Sequence, residues 1–284
     1  FANKVIAARG QKIFSSATTS LGTSSSNAIA ANDSMTGSGV IIVVSTTGFS
    51  SSGALQIDDE QFTYTGITST TFTGVTRATN STTAAVHTAS SDTTRTVVSE
   101  SWTERDTGRS NADKYSLERF NFDGNSKIVL VDGANAPVVF NTSIAATDIS
   151  ESAVAGASIV TSFREHMFYA GMSSTPQEVV FSVAFDEDNF SSGAGAGSIR
   201  VDDTIVGLKV FRDSLFIFCE NRIFKLTGSS SANFAITPVT RDIGCINGKT
   251  IQEFAGDLMF LGPDGLRTVA GTARIGDVEL GTIS

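Results

Sequence analysis

Apolar and polar residues alternate at every second position over much of the chain, which is the spacing of half-buried strands rather than of amphipathic helices. The opening stretch FANKVIAARGQKIF alternates in this way and predicts one or two strands before a Ser/Thr/Ala/Asn-rich connector. The following block predicts short strands over VIIVVSTTGF, GALQIDDEQFTYTGI, TTFTGVTRA and TTRTVVS. The pattern is clearest in LQIDDEQFTYTGI, where β-branched and aromatic residues recur at period two. Gly48, Gly53, Gly66 and Gly74 stand where turns are wanted. Helix is nearly absent: only SLERF at 116–120, with NADKYS before it, invites a helical turn.

The second half carries an internal repeat. Four strand–turn–strand units superpose: KIVLVDGANAPVVFN, HMFYAGMSSTPQEVVFSV, SLFIFCENRIFKLTG and DLMFLGPDGLRTVAG. With Ile128, Met167, Leu215 and Leu258 taken as equivalent, the spacings are 39, 48 and 43 residues. In each unit four or five mostly apolar residues enter a short polar turn, and DGAN, ENR and GPDG supply tight-turn chemistry. One such hairpin cannot bury both its faces, so neighbouring units must stack. All-strand repeats of this length are those of propeller blades.

The expected fold class is therefore all-β, with partial β-propeller-like repeats and a small inserted β-domain. Three regions follow: 1–33 as an N-terminal strand and connector, 34–98 as a small Thr-rich β-module, and 99–284 as an incomplete propeller-like region. Three or four blades lie at the lower limit for a closed ring. The chain begins at Phe1 and runs out in VELGTIS without start or stop signals, so a piece of a longer polypeptide is expected.

Two stretches resemble known phage proteins. STTGFSSSGALQIDDEQFTYTGITSTTFTGVTRATNSTTAAVHTAS resembles a small β-module found in phage virion and tail proteins. The matching residues are Gly53, Ile57, Glu60, Tyr64, Thr65, Gly66, Gly74, Arg77 and His87; Ala78 departs from the Gly that often follows the Arg. FSVAFDEDNF, IVGLKVFRDSLFIFCENRIFKLTG and FAITPVTRDIGCINGKTIQEFAGDLMFLGPDGLRTVAGT resemble repeats of phage tail nozzle, tail-tube and stabilisation-type proteins. The resemblance implies a virion structural protein of the tail, assembled in the host bacterial cytoplasm and forming part of the DNA-exit channel or its support. It implies copies of itself in a ring, neighbouring tail proteins as partners, and non-specific passage of genomic DNA. The alternative is a carbohydrate- or receptor-binding phage adhesin, which would expose a groove of aromatics; the middle block offers only Phe49, Phe62, Tyr64 and Phe72, and Phe62 and Tyr64, sharing a face at alternating positions, are expected in the core.

Charge and chemistry narrow this picture. Charged residues make up 17% of the chain, below the roughly 25% usual for soluble domains. The net charge is −9, with no basic run, which removes specific nucleic-acid binding through phosphates. Acidic residues facing a lumen would instead repel passing DNA. The longest apolar run, VIIVV at 40–44, is strand-sized, so no membrane segment is expected. Cys219 and Cys245 read as reduced, partly buried thiols.

Asp186, Glu187, Asp188 and Asn189, followed by Asp202 and Asp203, form the one tempting acidic cluster. A structural Ca²⁺ at Asp186/Asp188 is conceivable, but further ligands in phase are missing, and solvated blade turns are favoured. A glycosidase pair fails for want of convergence. Asp58, Asp59 and Glu60 read as a strand with Asp58 and Glu60 sharing one solvated face, and a Glu60–Arg77 salt bridge would pin the module. His166 lies among core-type residues, and neither His87 nor His166 has a nucleophile context. GAGAG at 193–197 reads as a flexible linker, and Trp102 as packing at the junction of module and propeller region. No catalytic, cofactor-binding or metal-ligating residue is assigned, no cofactor is expected, and the chain is read as a non-enzyme.

Overall fold

The computed structural model describes residues 4–22, 39–87, 96–110, 112, 114–122 and 124–269. The Ser/Thr-rich connector and the VELGTIS terminus lie outside them. Two compact units divide the chain, Phe1–Gly108 and Arg109–Ser284.

The first unit holds β1 (Lys4–Arg9), β2 (Lys12–Ser20), β3 (Gly39–Ile42), β4 (Gly53–Ile57), β5 (Glu60–Tyr64), β6 (Gly66–Ile67), β7 (Thr71–Val75) and β8 (Thr96–Asp106). They form a five-stranded sheet in the order β1-β2-β8-β4-β5 and a three-stranded sheet in the order β3-β7-β6. Leu55, Phe62, Tyr64, Phe72 and Val97 sit in one core, each at most 2% exposed. The expected boundary at 98/99 falls inside β8. That strand is central, paired with β2 on one side and β4 on the other, so residues up to Gly108 group with the first unit and so do the N-terminal strands.

Two local readings change. LQIDDEQFTYTGI is not one strand but a hairpin folded at Asp58 and Asp59, with Ile57 opposite Glu60 and Asp58 at φ 51°. Asp and Asn tolerate that left-handed backbone better than β-branched residues, which is why the fold comes there. Gly74 lies inside β7 at φ 62°, where the register against β3 slips by one residue. It is a β-bulge rather than a turn, and a Cβ there would stand 2.0 Å from Thr65 Oγ1.

The second unit is a succession of antiparallel sheets. The first contains β9 (Ser116–Phe122), β10 (Asn125–Val131), β11 (Val138–Phe140) and β12 (Ala146–Asp148). The second contains β13 (Ile159–Phe163), β14 (His166–Ala170), β15 (Glu178–Phe181) and β16 (Gly197–Arg200). The third contains β17 (Ile205–Phe211), β18 (Ser214–Cys219), β19 (Ile223–Thr227) and β20 (Ala235–Thr240). The fourth contains β21 (Gln252–Phe254), β22 (Asp257–Gly262) and β23 (Gly265–Thr268). Each sheet is an up-and-down meander in sequence order, and the class is all-β with propeller-like repeats. Ile128, Met167, Leu215 and Leu258 all fall on the second strand of their sheet.

SLERF forms the core of β9, not a helical turn. Its alternate residues Ser116, Glu118 and Phe120 share one face, and pairing with β10 over seven positions overrides the weak local helix signal. GAGAG is no linker either: a 3-10 turn at Ser192–Ala194 and a left-handed Gly195, φ 101°, lead directly into β16.

The sheets hold one another through their side chains. In β14, Met167 and Tyr169 enter the core shared with β10, while Phe168 and Ala170 enter the core shared with β18. In β18, Leu215, Ile217 and Cys219 face the second sheet, while Phe216 and Phe218 pack with Leu258 and Phe260 of β22. Both strands are therefore continuous apolar runs, buried on both faces, and the period-two signal disappears from them. Phe168→Ala, at 0% exposure, is expected to cost roughly 3–5 kcal/mol in urea unfolding. Leu117→Ala, on β9 at 63% exposure, is expected to stay within about 0.5 kcal/mol.

Candidate functional site

Four ionisable side chains of the first unit meet at the β4–β5 hairpin. Period two along β5 places Glu60 on the same inward face as Phe62 and Tyr64, so its carboxylate is carried into the core at 1% exposure. This corrects the solvated face expected for Asp58 and Glu60; Asp58 and Asp59 form the turn and only Glu60 is buried. An unpaired carboxylate would not be stable there. Arg77 grips it with two parallel bonds, Nε to Oε1 at 2.8 Å and Nη2 to Oε2 at 2.7 Å. The backbone N–H groups of Ala78 and Ala85 donate to the same carboxylate at 3.0 and 2.9 Å.

His87 closes the cluster, with Nε2 2.9 Å from Glu60 Oε2 and Nδ1 2.8 Å from Asp58 Oδ2. A neutral ring can donate to only one of these oxygens, an imidazolium to both. The Phe62 ring lies against both side chains, with the Arg77 guanidinium 5.7 Å from its centroid and the His87 ring edge-on at 5.7 Å. Burial would raise the Glu60 pKa, but the bonds from Arg77, Ala85 and His87 and the Arg77 charge outweigh it and hold it at about 2. Every group is consumed by another, so the arrangement locks a hairpin to the chain that follows it.

A second lock lies in the second unit, on a residue that the sequence did not single out. Arg109 donates to Asp132 Oδ2 at 3.2 Å from both Nε and Nη2, and to the carbonyl of Ala136 at 2.7 Å. Asp132 opens the DGAN turn and also accepts from the N–H groups of Ala134 and Asn135. Burial would raise the Asp132 carboxyl, yet these bonds and the Arg109 charge hold it below its ordinary value. The one sequence signal was Asp132 at the head of a turn, where a carboxylate caps backbone donors.

The acidic residues in the second half separate into turn braces. Glu187, 5% exposed, pairs with Lys127. Asp188 is pushed up by burial, by a hydrogen bond to Asp186 and by the charges of Asp186 and Glu187. Asp202 pairs with Arg222, and Asp203 accepts from the Asn221 N–H at 2.7 Å. Among the described residues no three His, Cys, Asp or Glu side chains are placed to hold a metal ion. His166 is buried, its Nδ1 donating to the Ser182 carbonyl at 2.6 Å between the rings of Phe168, Phe181 and Phe234. Cys219 and Cys245 are free and buried, and burial pushes the Cys219 thiol up to about 12.

Aromatic placement bears on surface recognition. Phe49, Phe62, Tyr64 and Phe72 are all buried, so they line no groove. Trp102 lies on β8 opposite Ser16 and is 49% exposed. Adjacent strands leave it at the outer face of the sheet, with Val5 likewise exposed beyond Ser16. Among the described residues no helix is long and apolar enough to cross a membrane.

No family model and no curated protein matches the chain. Among solved structures, a chain from the crystal structure of a nidogen/laminin complex is 9% identical, covering 98% of this chain and 93% of that chain with a TM-score of 0.42. A chain from the structure of BBS1N in complex with ARL6DN, soaked with lead, is 8% identical over 94% of this chain and 74% of that chain, with a TM-score of 0.37. Likenesses this distant say nothing of function, and the fold rests on the sheets themselves.

Arg77→Met would leave the Glu60 carboxylate buried without its partner and is expected to cost roughly 3–5 kcal/mol in urea unfolding. The pH dependence has a definite sign. Glu60 titrates lower in the folded chain than its ordinary 4.5, so its stabilisation is fully present above that value and is lost as pH falls toward about 2. Melting temperature should drop across that window, and Glu60→Gln should flatten the drop.

Proposed function

We propose that the chain is a structural subunit of a bacteriophage tail, part of a nozzle, neck or baseplate-associated ring that forms or supports the DNA-exit channel. The residues matching the phage β-module and the tail-protein repeats support this reading. Its physical support is the double-sided burial of β14 and β18, because sheets that brace each other on both faces make a stiff wall. The role is mechanical: copies of the chain close a ring, and neighbouring tail proteins stack on it. Glu60, Arg77 and His87, matched to the module, are read as the lock that keeps it rigid, not as catalytic groups. A net charge of −9 suits a surface past which DNA slides without adhering.

Cryo-electron microscopy of the intact particle tests the proposal. Copies of this chain are expected in a closed ring around the tail axis, with the successive sheets forming its wall. A position at the tip of a fibre, or absence from the particle, would overturn it.

A further inference from the structure

The second unit contains a cavity of about 720 Å³ where β13 lies against β9 on one side and β17 on the other. These are the first strands of their sheets, and each is an edge strand, so its outer backbone groups pair with no further strand of the described sheets. Ile159, Val160, Ile205 and Leu208 give the cavity apolar wall, and Ile246, 57% exposed, adds a free apolar side chain.

Its charge is opposite to that of the chain. Lys114 and Lys249 line it, both exposed, and neither makes an ion pair among the described residues. Arg109, Lys127, Arg164, Arg222 and Arg267 of the same unit each have a carboxylate partner, whereas Arg200, Lys209, Arg212 and Lys225, like the two lysines of the cavity, have no ion pair among the described residues. Among the described lining residues the one carboxylate, Asp132, is taken up by Arg109 and by the Ala134 and Asn135 amides. Two ammonium groups with no ion partner among the described residues therefore line a cleft of mixed polar and apolar wall in a protein of net charge −9.

We propose that this cavity docks a short acidic peptide segment of a partner protein, extended, with carboxylates toward Lys114 and Lys249 and apolar side chains on the wall. The volume is within the roughly 300–1,000 Å³ of ordinary ligand sites. The Ser162 N–H of β13 already donates to the Glu118 carboxylate at 3.0 Å, and Gly248 packs against Val206 of β17; edge groups not so taken can offer main-chain donors and acceptors to an extended peptide, which is how strand addition gains affinity. Nucleic acid fits poorly: no aromatic ring is among the described residues that line the cavity, and the net charge repels a long polyanion. The inference goes beyond the mechanical role and stands without it.

Fluorescence anisotropy on the full chain tests it, using a fluorescein-labelled heptapeptide of alternating Asp and Leu and its Asn-for-Asp counterpart. The acidic peptide is expected to bind at least tenfold more tightly than the neutral one and to weaken as salt rises. The double variant Lys114→Glu with Lys249→Glu should lower affinity at least tenfold. Arg200→Glu, an exposed charge change outside the cavity, should leave it unchanged. Should the double Glu variant misfold by circular dichroism, Lys114→Met with Lys249→Met replaces it. Equal binding by the Lys variants, equal binding of the Asn peptide, or no binding at all would overturn the proposal. So would full displacement by inorganic phosphate or by a short DNA duplex at equal charge concentration, since either marks a site for bare anions.

Discussion

A strand that is apolar on both faces cannot lie at a protein surface; it must have a packing layer on each side, and in an all-β unit that layer is another sheet. In the second unit this requirement falls on β14 and β18, whose residues divide alternately between two cores. Burying a Phe or Leu side chain contributes about 1.5–3 kcal/mol, so each strand commits several such terms to its neighbours rather than to its own sheet. A three- or four-stranded meander alone would leave half of that surface wet. The order of the sheets along the chain and their mutual packing are thus one constraint.

The first unit meets a different problem. Its hairpin β4–β5 carries a carboxylate on the inward face, and the cost of burial is offset only by a complete set of donors: Arg77, two backbone amides and His87. Such a buried pair contributes modestly when intact and becomes strongly destabilising when one partner is removed. It therefore fixes geometry more than it adds stability. Asp132 and Arg109 act likewise at the β10–β11 turn of the second unit, tying that turn to the segment that enters β9.

Much of this was legible in the residues. The apolar runs such as HMFYA and LFIFC, the turn chemistry of DGAN, ENR and GPDG and the spacing of the units placed all four hairpins, because turn chemistry and strand length are local properties. The Glu60–Arg77 pair was also within reach, but the depth of Glu60 was misread. Glu60 is in phase with Phe62 and Tyr64, which the sequence placed in the core, and that phase was the available signal. The hairpin at Asp58 and Asp59 was hidden because two Asp within an alternating run resemble a polar face. SLERF looked helical because propensity is weak and seven cross-strand partners decide the matter. Arg109 and the lysines of the cavity carry no local signal, since their roles depend on strands far away in sequence.

The central claim, that adjacent sheets stabilise one another through shared side chains, is tested most directly by native-state hydrogen exchange on Ile217→Ala. Ile217 sits on β18 and faces the second sheet, fully buried. The substitution removes contacts worth roughly 2–5 kcal/mol. Amides of β14 and β15 are expected to lose as much protection as those of β18 and β19. Loss confined to β18 and β19, with β14 unchanged, would contradict the account.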